Sequence, residues 1–185
     1  MFLKIKDIPK TYWSSEKPLN FKPKFSTFFF LCFGLALFGL GEGLLIVSFT
    51  GASPWIFLDQ RLGMGAIFNA IIIAVMIDLC IKYVPTPTNY VHQIILAIFS
   101  VITVGIGGGI YLVSNLGAGP RDGLMIGLQK KTNLPIALVR ALLEITVVLV
   151  GWYLGGTVGI GTLFFAFGIG PCVALGLYLV DKIFN

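Results

Sequence analysis

Charge is scarce in this sequence. Asp, Glu, Lys and Arg make up 11% of its 185 residues, against about 25% in ordinary globular chains. With 57% hydrophobic residues and a mean hydropathy of +0.94, that excludes a soluble domain. Histidine occurs once, as His92, and cysteine three times, as Cys32, Cys80 and Cys172, each inside an apolar run. Three distant thiols make neither a disulfide framework nor a zinc pattern. They read as small core hydrophobes, and neither a metal site nor a cofactor is expected. His-Glu-x-x-His, Gly-x-Ser-x-Gly and a catalytic Asp pair are also missing, so no catalytic residue is assigned and no enzyme is expected. A formal charge of +5 would suggest a nucleic-acid partner in a soluble protein. Here Lys4, Lys6, Lys10, Lys17, Lys22 and Lys24 precede the first apolar run. Lipid headgroups and membrane orientation account for them better than nucleic acid does.

Apolar runs are abundant. Five of them reach the roughly 20 residues that cross a hydrocarbon core, which predicts an all-α, polytopic transmembrane bundle of about five spans. The spans fall near 25–49, 63–84, 90–116, 135–154 and 158–183. Residues 1–25 form a basic arm interrupted by Pro9, Pro18 and Pro23, with Tyr12 and Trp13 expected on the headgroups. The run that follows is too long for a signal-peptide core and reads as a retained anchor. In the connection 50–62, Ser53-Pro54 has helix-start chemistry, while Trp55 and Phe57 suit the interface. Span two carries Asn69, a polar residue expected to be buried, and Asp78 and Lys82 at ion-pair spacing. The longest polar interval inside the hydrophobic body, 117–134, predicts a short helix lying in the interface or dipping into the membrane. In span five, Gly168, Gly170 and Pro171 predict a helix broken at mid-depth, where transporters place their sites.

The chain also repeats itself. Shifted by 66, residues 39–56 fall on 105–122 with eight identities in eighteen positions, among them Gly39/Gly105, Gly43/Gly109, Gly51/Gly117 and Pro54/Pro120. Shifted by 96, residues 62–79 fall on 158–175. The growth of the shift from 66 to 96 leaves the first copy 30 residues shorter. Three parts result: the arm 1–25, a shortened two-span first repeat over 26–89, and a three-span second repeat over 90–185. Gly39 with Gly43, and Gly105 with Gly109, put small residues at one-turn spacing, where helices approach closely. The two patches are expected to pack on each other.

Ionisable residues within apolar runs are costly and are by default functional candidates. Glu42 lies between Gly39 and the end of span one; a neutral or snorkelling Glu is the plainer alternative. Arg140 and Glu144 stand one turn apart on span four and can neutralise each other, and Glu144 is too deep to reach water. Arg121 and Asp122 follow Gly117, Gly119 and Pro120 at a helix start. Exposed N–H groups there, beside Arg121, would suit an anionic group; a tight turn tied down by the Arg-Asp pair is the alternative.

Gly117-Ala-Gly-Pro-Arg-Asp-Gly-Leu-Met125, Leu138-Val-Arg140 with Glu144, and Gly151-Trp-Tyr-Leu-Gly-Gly-Thr-Val-Gly-Ile-Gly-Thr162 together resemble the YczE-type integral membrane proteins of bacteria, related to the wider YitT group. Gly51-Ala-Ser-Pro-Trp55 looks like that family's first-repeat motif. The resemblance implies a multi-pass bacterial plasma-membrane protein of two three-helix repeats, and brings no assigned substrate. This chain departs from it after Trp55, where an interfacial segment and a span are absent. Loss of one helix is expected to put spans one and three in the same direction. With the N-terminus cytoplasmic, seven basic residues then fall inside (the six lysines and Lys82). Five fall outside: Arg61, Arg121, Lys130, Lys131 and Lys182. That is a weak bias for the positive-inside rule. A re-entrant 50–62 or an abnormally packed first half would relieve it.

Two functions fit. One is a small-molecule transporter or transport subunit for an anionic or polar solute, as a homodimer because five spans are thin for an enclosed pathway. The other is a non-transport accessory protein that binds a partner in the bilayer to support biosynthesis or secretion.

Overall fold

A computed structural model describes residues 2–16, 20, 22–47, 64–156 and 158–184. The expectations for Ser53-Pro54, Trp55, Phe57, Arg61 and a re-entrant 50–62 lie outside the described residues. Six α-helices follow a short 3-10 turn at Phe2–Lys4: α1 (Phe25–Val47), α2 (Met64–Tyr83), α3 (Tyr90–Val113), α4 (Pro120–Thr132), α5 (Ile136–Tyr153) and α6 (Ile160–Phe184). Among the described residues, α1, α3, α5 and α6 are long and apolar enough to cross a membrane. The remaining expected span corresponds to α2, whose 20 residues rise about 30 Å.

Glycine sets the helix contacts, in a different pairing from the expected one. A Cβ on Gly39 would meet Ile73 and Met76, and one on Gly43 would meet Ile77 and Cys80, so α1 packs along α2 and runs parallel to it. Gly105 likewise faces Cys172, and Gly109 faces Gly176 and Leu177, so α3 runs parallel to α6. Each patch therefore seats the helix that follows in its own half, because the backbone it must admit lies there. Other glycines make the α1–α3 seam: Gly41 against Ser100 and Val104, and Gly107 against Gly34 and Phe38. This seam is antiparallel. The same two shifts that align the sequence relate these contacts pairwise. Gly39–Met76 corresponds to Gly105–Cys172, Gly43–Cys80 to Gly109–Gly176, and Gly41–Val104 to Gly107–Phe38.

The antiparallel seam overturns the expectation that spans one and three point the same way. It also regroups the charges. The start of α1, the end of α3, both ends of the α4–α5 turn and the end of α6 all lie at the end of the bundle held by the N-terminal arm. Ser14 Oγ donates to Val113 O at 2.7 Å, Ser15 N to Ser114 O at 3.0 Å, and Ile136 N to Ile5 O at 3.0 Å. Trp13 is not on the headgroups. It is 0% exposed, stacked on Phe30 at 4.4 Å and edge-on to Phe184 at 5.8 Å. The Phe30 and Phe184 rings enclose the indole, and such aromatic pairs are favourable beyond the area they bury. Tyr12 remains exposed.

Two further expectations are corrected. Helix α6 is not broken: it continues through Pro171 from Ile160 to Phe184. Gly170 gives close approach to Ala137 and Ala141 of α5, and Gly168 faces Val101, so these glycines serve packing. A packed membrane helix tolerates the single lost hydrogen bond at Pro171. Asp78 and Lys82 form no ion pair among the described residues; Lys82 Nζ lies over the Tyr83 ring, 5.2 Å from its centroid. Outward stripes such as Ile67, Ile71, Val75 on α2 and Val91, Ile95, Ile98, Ile102 on α3 are exposed, as lipid-facing surfaces should be.

Candidate functional site

Among the described residues, charge is buried at one place. Helix α4 turns Asp122, Met125 and Gln129 inward, where all three are buried, and its first turn reaches α1, α3 and α5 through Arg121 and Asp122. Its position follows from the backbone before it. Asn115 and Gly117 take left-handed conformations (φ 51° and 99°), and Gly117 does so without a Cβ penalty. Gly65 N donates to Leu116 O at 2.8 Å, and Gly119 leaves room for the Asn69 side chain of α2. Gly117 and Gly119 thus hold the α4 start against α2.

Five ionisable residues meet there: Glu42 of α1, Arg121 and Asp122 of α4, and Arg140 and Glu144 of α5. Arg140 Nη1 donates to Asp122 Oδ1, and Tyr111 Oη of α3 donates to Asp122 Oδ2. Arg140 Nε lies 3.2 Å from Glu144 Oε1, the one-turn pair expected from spacing. Arg121 Nη1 lies 3.5 Å from Glu42 Oε1 and 3.9 Å from Glu144 Oε1, and its Nε lies 3.6 Å from Asp122 Oδ1. The Arg121 guanidinium also covers the Phe38 ring at 4.8 Å, a cation–π contact. Phe38 in turn meets Tyr111 edge-on at 6.0 Å. Arg140 and Glu144 are 0% exposed.

Every ionisable site candidate named from sequence is in this cluster. Tyr111 and Phe38 were not foreseen. Shifted by 66, Tyr111 falls on Leu45, a match that does not single it out. Phe38 reads as one of many lipid-facing phenylalanines until α4 folds over it. Among the described residues no three His, Cys, Asp or Glu side chains are placed to hold a metal ion.

Among the described residues, three carboxylates face two guanidiniums. Asp122 is the best satisfied: Tyr111 and Arg140 each donate to it, and Arg121 Nε stands 3.6 Å from its Oδ1. Removing its charge leaves the buried Arg140 without that partner, and breaking a buried pair is strongly destabilising. Thermal melts of purified protein at neutral pH should therefore show Asp122→Asn unfolding at a lower temperature than the wild type. An unchanged melting temperature would refute this account of Asp122.

A helical, polytopic membrane protein with a buried ionic cluster at the junction of four helices is the class these features define. The chain belongs to the family of unknown function DUF6198, whose model matches residues 58–177. It is similar to an "Uncharacterized protein" of Haemophilus influenzae (strain ATCC 51907 / DSM 11121 / KW20 / Rd), 33% identical over 210 residues, covering 97% of this chain and 95% of that one. That alignment exceeds this 185-residue chain by 25 positions (210 − 185), so the relative has residues without a counterpart here. It is also similar to the "Uncharacterized membrane protein YczE" of Bacillus subtilis (strain 168), 36% identical over 121 residues, covering 65% of this chain and 54% of that one. No solved structure matches.

Proposed function

We propose that the protein is a transporter, or the membrane subunit of one, for a small solute bearing an anionic or polar group, and that Glu42, Arg121, Asp122, Arg140 and Glu144 form its intramembrane site. The buried five-residue cluster carries this reading. Charge that deep is costly to keep and is retained along ion and substrate pathways. Contacts related pairwise by the 66- and 96-residue shifts support two repeats, and repeat interfaces are where secondary transporters place their sites. The cluster takes Glu42 from the first half and its other members from the second.

Orientation follows from the regrouped charges. Lys4, Lys6, Lys10, Lys22, Lys24, Lys130, Lys131 and Lys182 share the arm end, with only Lys82 opposite among the described lysines. That asymmetry supports a cytoplasmic N-terminus in a bacterial plasma membrane.

The accessory reading has one observation in its favour. On α6, Ala166 and Gly170 are buried, and Gly170 faces α5; their equivalents on α2, Ala70 and Ala74, are exposed. A small-residue face of this kind suits a partner helix, from a second copy or another membrane protein.

Flux separates the two. A thermal-shift screen of small anionic and polar solutes, followed by uptake into proteoliposomes, should yield a solute whose flux falls at least about tenfold in Arg140→Ala and Glu144→Gln. Absence of any ligand, together with a co-purifying membrane partner lost on Ala74→Leu, would overturn transport in favour of the accessory role.

A further inference from the structure

The N-terminal arm is tied to the chain on both sides of α4. Before the helix, Ser14 Oγ donates to Val113 O and Ser15 N to Ser114 O. Asn115 Nδ2 donates back to Ser15 O at 2.8 Å. After the helix, Ile136 N donates to Ile5 O at 3.0 Å. The arm itself is fixed by Trp13, buried against Phe30 of α1 and Phe184 of α6, and by Thr27 Oγ1, which donates to Trp13 O. Between the two sets of ties lies the segment that brings Arg121 and Asp122 to the cluster. Among the described residues α4 packs chiefly against α5, whereas α3 is seamed along both α1 and α6. A helix with so little packing of its own depends for its position on what holds its ends.

The outer side of this end is basic. Lys4, Lys6, Lys24, Lys130, Lys131 and Lys182 are exposed there. The acidic residues described at the same end are Asp7, Glu16 and Asp181. Leu3, Tyr12 and Phe25 are exposed among the lysines, Phe25 by 84%. Apolar and aromatic side chains set among lysines suit the boundary between headgroups and acyl chains.

We infer that the arm is a strap that holds α4 in place at the cluster, and that anionic phospholipid headgroups of the adjoining leaflet keep it closed. Seating the arm gathers like charges, which repel one another. An anionic leaflet relieves that repulsion. A released arm would spread its lysines apart, so headgroups bind the seated arm better, and that difference shifts the equilibrium toward it. The strap needs no transported solute and would serve a transporter and an accessory protein alike.

The full-length protein in nanodiscs tests this. Replacing phosphatidylcholine by a mixture with phosphatidylglycerol should raise Tm by about 3 °C or more. Amide exchange over 2–16 and 114–136 should slow by about fivefold or more, and that over 92–104 of α3 should change less. Both effects should fade at about 1 M salt and shrink in Lys4→Gln combined with Lys6→Gln. Trp13→Ala should quicken exchange over 114–136 in either lipid. Should that variant fail to assemble, Ser14→Ala, which removes the hydroxyl bond to Val113 O, should do so over 114–119. Equal Tm in the two lipids, a rise that survives the lysine substitutions, or exchange over 114–136 that ignores both lipid and arm variants overturns the inference. A rise reproduced by soluble polyphosphate in phosphatidylcholine discs also overturns it, making a free polyanion the partner. Solute flux, found or missing, bears on transport alone.

Discussion

Arg140→Ala should destabilise the bundle by roughly 3–5 kcal/mol, the range found when one partner is removed from a buried ion pair. The guanidinium of Arg140 donates to Asp122 and stands beside Glu144, and none of the three is more than 3% exposed. Without it, Arg121 is the cation left beside Asp122 and Glu144 among the described residues. Neither Asp122 nor Glu144 gains water in exchange, since Arg140 sits under α4 rather than at a surface. The loss should shrink when a carboxylate is neutralised too, so Arg140→Ala with Asp122→Asn should cost less than the two changes added together. Denaturant titrations in detergent, run as a double-mutant cycle, measure this coupling. A loss below about 1 kcal/mol, as for an exposed pair, would mean that the cluster is hydrated and the site misplaced.

The second large effect is steric. Gly107→Ala should cost about 1–3 kcal/mol, although alanine is the better helix former by up to about 1 kcal/mol. Its Cβ would lie 2.5 Å from Phe38 N and 2.8 Å from Gly34 O. Those are backbone atoms of α1, so relief requires the two helices to separate and the whole α1–α3 seam to loosen. A Cβ on Gly127 would meet nothing within 4 Å, and Gly127→Ala should hold or raise Tm. Melting both variants side by side controls for propensity. If the two behave alike, α1 and α3 do not meet at Gly107. Separation there would also draw Phe38 away from Arg121, so the variant should lose ligand response before it loses its helices.

Much of the fold was legible in the sequence because membrane helices announce themselves one at a time. A span needs only length and apolarity, both local properties, and the ends of α2, α3, α5 and α6 lie within a few residues of the expected boundaries. The individual ionisable candidates were legible for the same reason. Each costs free energy wherever it ends up, so Glu42, Arg121, Asp122, Arg140 and Glu144 stand out one by one. A Cβ on Gly39, Gly43, Gly105 or Gly109 would meet a neighbouring helix, but a glycine in a sequence states only that something comes close. It carries no record of what.

The partners were decided by the tertiary structure. Gly107 faces α1 while Gly105 and Gly109 face α6, a division set by helix rotation and not by the spacing of small residues. Trp13, expected at the headgroups, is enclosed because Phe30 and Phe184 reach it from two helices distant in sequence. Pro171 stays helical because α3 and α5 grip the same helix on both sides of it. The chain's own order of residues determined that it spans a membrane and which groups it must shelter there. Only the packing decided that three carboxylates and two guanidiniums meet, since charge balance is a property of the assembled cluster and of none of its members.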